Sequence, residues 1–271
     1  MPELPEVETT LRGIEPHIIN VKIDNIIVRQ TQLRWKVPVT KLKKNLPESR
    51  FRSINRRAKY LFLNLNKGTL IVHLGMSGSL RLVEKNTKVE KHDHIDIIFK
   101  NDHILRYNDP RRFGSFLWSQ DPDKHPLIKN LGPEPLGNEF NALYLSELAR
   151  NKSVAIKNFI MNSKVVAGIG NIYASEALFE SGIKPDRESR AVKLNEFESL
   201  VTNIRKLLNK SIKNGGTTLR DFVGGDGKPG YFKQELKVYG RTGEPCMKCK
   251  KPLININIGQ RSSVFCKVCQ K

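Results

Sequence analysis

The chain has 271 residues, with 47 Lys and Arg against 27 Asp and Glu, a formal net charge of +20 at pH 7. At 38% hydrophobic and 27% charged it can bury a core, which excludes a wholly disordered chain. No apolar run approaches the roughly 20 residues that cross a bilayer, and the acidic start (Glu3, Glu6 and Glu8 ahead of Arg12) lacks a secretory pattern, so a cytoplasmic location is expected.

In chain order, the first element is a helix from about Pro5 to Ile14, with Pro5 suited to an early helical position and Glu6 and Glu8 complementing the positive dipole end. Short β-like segments follow at Val21–Val28, Tyr60–Leu65, Leu70–Leu74, Ser79–Val83, Ile95–Phe99, Ile104–Tyr107 and Ser115–Trp118. Gly, Asn, Asp and Pro punctuate them, a pattern that predicts an antiparallel β-sandwich. Residues 119–139 hold four prolines and two glycines and read as a linker. From 140 the period becomes helical, with helices at about 153–161 and 172–181. A longer helix carries Leu194, Phe197, Val201, Ile204, Leu207, Leu208 and Ile212 on one face. Asn195 and Glu198 read as its capping pair and Gly215-Gly216 as its stop.

The charge is unevenly spread. Residues 205–271 carry fifteen basic and four acidic side chains, over half of the surplus in a quarter of the length. A chain this basic calls for an anionic partner, and without a membrane-lying amphipathic helix nucleic acid is the expected one. The four cysteines, Cys246, Cys249, Cys266 and Cys269, read C-x2-C-x16-C-x2-C, the spacing of a ribbon whose two turns close on one structural Zn2+. Four thiolates leave no open coordination position, so the site holds a small segment folded and performs no chemistry.

Other motifs carry chemistry or contacts. In Val166-Ala-Gly-Ile-Gly-Asn171-Ile-Tyr-Ala-Ser-Glu176 the glycines allow a tight turn and Asn171 can cap the next helix, whose free N–H groups suit a phosphate; Lys152 and Lys157 on the preceding helix add charge. Removal of Met1 would leave Pro2 as a secondary amine. An α-amino group, with a pKa of about 7.7–8, is a far better nucleophile at neutral pH than Lys. Condensed with an aldehyde carbon it gives an iminium that acidifies the neighbouring C–H, and Glu3 beside it can act as a general acid. Arg56-Arg57-Ala58-Lys59-Tyr60 enters a strand as a basic edge, and Asp109-Pro-Arg111-Arg112-Phe113-Gly114 is a turn whose cations flank an exposed aromatic. His92-Asp93-His94 resembles a metal pair on one strand face but lacks a third ligand, so a basic contact is expected there.

Together these motifs resemble the bacterial formamidopyrimidine-DNA glycosylase family along nearly the whole chain. The carriers are Pro2-Glu-Leu-Pro-Glu6, Arg57-Ala-Lys59-Tyr-Leu, His73-Leu-Gly-Met76-Ser-Gly, Lys91-His-Asp-His94, Asp109–Gly114, Leu131-Gly-Pro-Glu-Pro135, Gly168–Glu176, Gln234-Glu-Leu-Lys-Val-Tyr-Gly240 and the cysteine ribbon. The resemblance implies a multidomain α+β protein: an N-terminal β-sandwich (1–118), a linker (119–139), a helix–two-turn–helix domain (140–233) and a C-terminal zinc-ribbon hairpin (234–271). It implies a monomer acting on double-stranded DNA with oxidised bases, hence at the nucleoid. The activity would be a glycosylase for 8-oxoguanine and formamidopyrimidines, followed by β,δ-elimination.

The implied roles are Pro2 as nucleophile at C1′, Glu3 as proton donor, Lys59 in β-elimination and Arg261 in δ-elimination and phosphate binding. His92, Arg111, Lys152 and Asn171 match DNA-contacting positions. Met76, Arg111 and Phe113 match a trio that fills the hole left by an extruded nucleotide. The glycine-rich segment Thr217–Phe232 matches a loop over the extruded purine. Two other readings of the same features are an endonuclease VIII-like enzyme for oxidised pyrimidines and a non-catalytic zinc-ribbon DNA-binding protein.

Overall fold

The computed structural model describes residues 2–215 and 236–271. Contacts divide the chain into two units, Met1–Lys129 with Ile212–Lys233, and Asn130–Ser211 with Gln234–Lys271.

The first unit begins with α1 (Leu4–Ile18), which buries Leu4, Val7, Leu11, Ile14 and Ile18. Spacings of three and four put these on one stripe against the core. The helix runs four residues beyond the expected Ile14, through Pro16, because the fully buried Ile18 anchors its last turn in the same core as Ile14. Eight strands follow: β1 (Ile23–Val28), β2 (Ser53–Arg57), β3 (Tyr60–Leu65), β4 (Gly68–His73), β5 (Ser79–Glu84), β6 (Asp93–Phe99), β7 (His103–Asn108) and β8 (Ser115–Ser119). They form two four-stranded antiparallel sheets, β1-β6-β7-β5 and β2-β3-β4-β8. One apolar core draws Ile26, Ile95, Ile97 and Leu105 from the first sheet, Leu61, Leu63, Leu70 and Val72 from the second, and the α1 stripe. The predicted sandwich is therefore present.

Two elements of this unit are absent from the sequence reading. β2 has only one buried position, Ile54, flanked by polar residues, so its alternation leaves no apolar signal. The short α2 (Val39–Asn45) is lysine-rich and buries Leu42 alone. The outer face of the β6–β7 pair also holds a buried ion network. The Arg106 guanidinium donates to Asp96 at 2.9 and 3.0 Å and to the carbonyls of Thr87 and Lys88, and Arg29 reaches Asp96 at 2.6 Å. Burial alone would raise the Asp96 carboxyl, but the hydrogen bonds from Arg106 and Arg29 outweigh it and hold it below the ordinary carboxylate range.

The second unit contains α3 (Ala142–Ala149), α4 (Ile156–Met161), α5 (Asn171–Glu180), a 3-10 turn at Ser189–Ala191, α6 (Leu194–Lys213, whose last residues belong to the first unit) and the hairpin β9 (Ile254–Ile258)–β10 (Arg261–Phe265). The α6 cap lies two residues before the expected one. The Glu196 carboxylate accepts the backbone N–H of Lys193 at 2.8 Å and pairs with Arg187 at 2.6 Å, so Lys193/Glu196 replaces Asn195/Glu198. Of the expected apolar face, Phe197, Val201, Ile204 and Leu208 are buried, whereas Leu194 is 41% exposed; Leu200 and Ser211 complete the buried stripe. Arg205 on α6 donates to the carbonyls of Pro135, Gly137 and Phe140, which pins the proline-rich segment to the helix. No helix among the described residues is long and apolar enough to cross a membrane.

Candidate active site and nucleic-acid interface

The head of α1 places Pro2 and Glu3 inside the first unit: Pro2 is buried and Glu3 is 1% exposed. Glu3 is the N-cap residue, and it forms a reciprocal capping box with Glu6, whose carboxylate accepts the Glu3 N–H at 2.8 Å. That N–H belongs to the peptide joining Pro2 to Glu3, so the box fixes the plane beside the pyrrolidine ring. An acid buried next to a prospective amine is where a nucleophile and a proton donor need to be.

Lys59 sits in the two-residue turn between β2 and β3, whose closing pair is Arg57 and Tyr60. Its partner in the turn, Ala58, has φ +54° and is 2% exposed. A turn with positive φ at its first central position normally takes glycine, so alanine there holds strain of about 1 kcal/mol. Arg56 locks the turn to α1, reaching the Glu8 carboxylate at 3.0 Å and the Ala58 carbonyl at 3.0 Å. Helix α1 and the lysine turn are thereby one assembly.

Two loops of the same unit carry the exposed side chains Met76 (37%) and Phe113 (40%), with the Arg111 guanidinium carbon 4.9 Å from the Phe113 ring centroid. The loops touch backbone to backbone. A Cβ at Gly75 (φ +69°) would lie 2.5 Å from the Gly114 nitrogen and the Phe113 carbonyl carbon, and one at Gly114 would lie 1.7 Å from the Tyr107 hydroxyl. Only glycine permits that approach.

The two histidines lie on one side as expected, their rings edge to face with centroids 6.3 Å apart. The β6–β7 register shifts between Asp93 and Ile95, His94 is buried with Nε2 2.8 Å from the Asp109 carbonyl, and His92 lies half-buried just outside β6. Among the described residues no metal cluster forms there. One further histidine stands out. His73, at the end of β4, lies against the Tyr60 ring at 4.7 Å, and its Nδ1 accepts the Gly75 N–H at 3.1 Å. Burial, reinforced by Lys59 and Arg34, pulls its pKa down to about 4, so the imidazole is neutral at physiological pH.

The second unit gathers a separate group. Helix α5 starts at Asn171, but Gly170 occupies the cap position, so Asn171 does not cap the helix as expected. Its Nδ2 instead donates to the Ser262 carbonyl at 3.3 Å, and its Oδ1 is buried with no hydrogen-bond partner among the described residues. Lys157 is 0% exposed, with Nζ at 3.1 Å from the Ser262 carbonyl and 2.7 Å from Ser263 Oγ. The expected solvent-facing contact is thus a buried strut beneath the β9–β10 turn, because the hairpin covers the helix face it sits on. Arg261 at the start of β10 and Lys152 before α4 are exposed. Lys152, the head of α5 and Arg261 all belong to this one unit.

The four cysteine sulfurs lie within 4.8 Å of one another, Cys249 to Cys266 at 3.4 Å and Cys246 to Cys269 at 4.0 Å. A tetrahedral ion with Zn–S bonds of about 2.3 Å requires S···S edges of about 3.8 Å, whereas a disulfide would bring sulfurs to about 2.05 Å. The donor set fits zinc. Glu176 of α5 anchors the segment leading into this ribbon, accepting the N–H groups of Lys237, Val238 and Tyr239 at 2.8–2.9 Å. By sequence, Glu6 has a role at the helix dipole alone and Glu176 none beyond its place in the turn-helix motif. The spacing of Glu6 three residues after Glu3 is itself a capping-box signal; nothing local marks Glu176. Met1 and the Thr217–Phe232 segment lie outside the described residues.

Three family models match the chain: the formamidopyrimidine-DNA glycosylase N-terminal domain over residues 1–116, the formamidopyrimidine-DNA glycosylase H2TH domain over 131–223, and the zinc finger found in FPG and IleRS over 243–271. Formamidopyrimidine-DNA glycosylases of Cellvibrio japonicus and Psychromonas ingrahamii are 54% and 53% identical, over the full length of both chains. Among solved structures, a Lactococcus lactis FPG mutant in complex with a Fapy-dG containing DNA aligns with a TM-score of 0.93 at 35% identity, covering both chains entirely. The L. lactis Fpg complex with abasic site containing DNA gives 0.92 at 35% identity over 99% of each chain.

Proposed function

Because the chain belongs to the formamidopyrimidine-DNA glycosylase family, we propose that it excises oxidised purines, 8-oxoguanine and formamidopyrimidines, from duplex DNA and then cuts the strand at the resulting site. The observation that carries this reading is the head of α1, where Pro2 and Glu3 are buried and Glu6 fixes the peptide between them.

With Met1 removed, the Pro2 nitrogen attacks C1′ of the damaged nucleotide. The C1′–base bond breaks, and Glu3 gives a proton to the ring oxygen as the sugar opens. The product is an iminium between Pro2 and C1′. Its positive charge acidifies the C2′ proton; loss of that proton expels the 3′ phosphate, and a second elimination expels the 5′ phosphate. Lys59 assists the first elimination from its turn beside α1, and Arg261 holds a phosphate for the second. The base must leave the stack before C1′ can be reached, at a cost of a few kcal/mol. Met76, Phe113 and Arg111 refill the gap, while His92, Lys152 and Asn171 contact the DNA backbone. Lys157 supports this surface from beneath the zinc hairpin. The zinc supplies folding free energy to the Arg261 hairpin.

The enzyme acts as a monomer in the cytoplasm, on nucleoid DNA. A duplex with one 8-oxoguanine opposite cytosine tests the reading. Release of the free base with a one-nucleotide gap bearing phosphates at both ends is expected, and an intact strand contradicts it.

A further inference from the structure

Asp109 is fully buried, and no step above uses it. Its carboxylate accepts three hydrogen bonds, from Ser77 Oγ to Oδ1 at 2.8 Å and from the Tyr107 hydroxyl and the Gly114 N–H to Oδ2, each at 2.9 Å. Its backbone makes three more. Its N–H donates to the His92 carbonyl at 3.1 Å, and its carbonyl accepts from the Arg112 N–H at 3.2 Å and from His94 Nε2 at 2.8 Å. Ser77 Oγ, besides donating to Asp109, accepts the Arg111 N–H at 3.3 Å.

Most of these bonds end at, or one residue from, a side chain placed at the DNA. Ser77 adjoins Met76, Gly114 adjoins Phe113, Ser77 Oγ receives the Arg111 amide, and the His92 carbonyl is held directly. Gly75, Gly78 and Gly114 leave no room for these loops to slide: a Cβ at Gly78 would meet the Leu74 carbonyl at 2.1 Å and the Tyr107 hydroxyl at 2.8 Å. The three donors face a carboxylate out of contact with water, so losing it would strand two buried hydroxyls and a buried amide. The Arg111 and Arg112 side chains are exposed and leave the carboxylate to these neutral donors.

We propose that Asp109, acting through Ser77, is a positioning residue that sets Met76, Arg111 and Phe113 as one rigid gap-filling unit and thereby fixes how the base opposite the lesion is read. The inference rests on the glycosylase reading above. A lost relay leaves the Pro2 chemistry intact but lets Arg111 and Met76 shift independently, so discrimination falls along with rate.

The test compares wild type, Ser77→Ala and Asp109→Asn under single-turnover conditions, with thermal unfolding as a check on folding and Tyr107→Phe as a milder variant that keeps the ring. Substrates are duplexes with 8-oxoguanine opposite cytosine or adenine, and a single-stranded abasic oligonucleotide, which has no gap to fill. Expected for Ser77→Ala is a loss of about tenfold or more on the lesion opposite cytosine. The cytosine-over-adenine preference should narrow, and borohydride trapping on the abasic strand should stay within about twofold. Equal slowing on all three substrates, or an unchanged preference in Ser77→Ala and Tyr107→Phe alike, overturns the proposal. A wild type inert on all three overturns the glycosylase reading instead.

Discussion

The backbone N–H of Glu3 is held 2.8 Å from a Glu6 carboxylate oxygen, within a helix start where both residues are about 1% exposed. The pair does two jobs with one bond: it satisfies an orphan donor at the start of α1 and it orients the peptide that follows Pro2. Glu6→Gln can still accept this N–H and should retain most of the activity. Glu6→Ala cannot. It should cost about 1 kcal/mol of stability and slow base release by more than the Gln variant, measured by thermal unfolding and single-turnover assay.

Lys157 makes a second prediction. Its ammonium is buried under the zinc hairpin with Ser262 and Ser263 as acceptors, so Lys157→Met should remove a charged donor from both, leaving the Ser262 carbonyl only the longer bond from Asn171, at a cost of about 1–3 kcal/mol. The hairpin, and Arg261 with it, would loosen. Hydrogen exchange should accelerate in β9–β10 with no change in the β-sandwich strands, and DNA affinity should fall.

A third follows from His73, whose pKa is drawn down to about 4, first by burial and then by Lys59 and Arg34, with Asp109 opposing them. The folded state binds this proton less readily than the unfolded chain, whose His titrates near 6.5. The stability His73 contributes is therefore complete above about 6.5 and is lost as pH falls toward 4. An NMR titration should find its imidazole neutral at pH 5.5, and Lys59→Met should raise its midpoint because a like charge is removed.

Zinc removal gives the fourth. Chelation should expose residues 246–271 to rapid exchange, because the ribbon core consists of little beyond the cysteines and Phe179, Val238, Leu253 and Val264. The sandwich, with its own core, should keep its protection. A hairpin that stays protected without metal would contradict the structural role of the ion.

Much of this was legible in the residues. Regular alternation marked the strands that bury several side chains, and the cysteine spacing marked the ribbon. What stayed hidden was long-range. Lys157 reads as a basic contact because its burial depends on a hairpin more than a hundred residues later in the chain. Asp109 reads as the start of a turn flanked by arginines, yet its carboxylate bonds Ser77 and Tyr107 from other loops and strands. Glu176 reads as one more helical acid, and its three partners lie about sixty residues on. Polar residues give no periodicity from which such pairings could be inferred.

The most direct test of the central claim is covalent trapping. Reduction with borohydride during turnover on an 8-oxoguanine duplex, followed by proteolysis and mass spectrometry, should find the sugar remnant on the nitrogen of Pro2, in a chain lacking Met1. Pro2→Gly should leave DNA binding intact and slow trapping severely. An adduct mapped to Lys59 or any other lysine, or undiminished trapping by Pro2→Gly, would contradict the account.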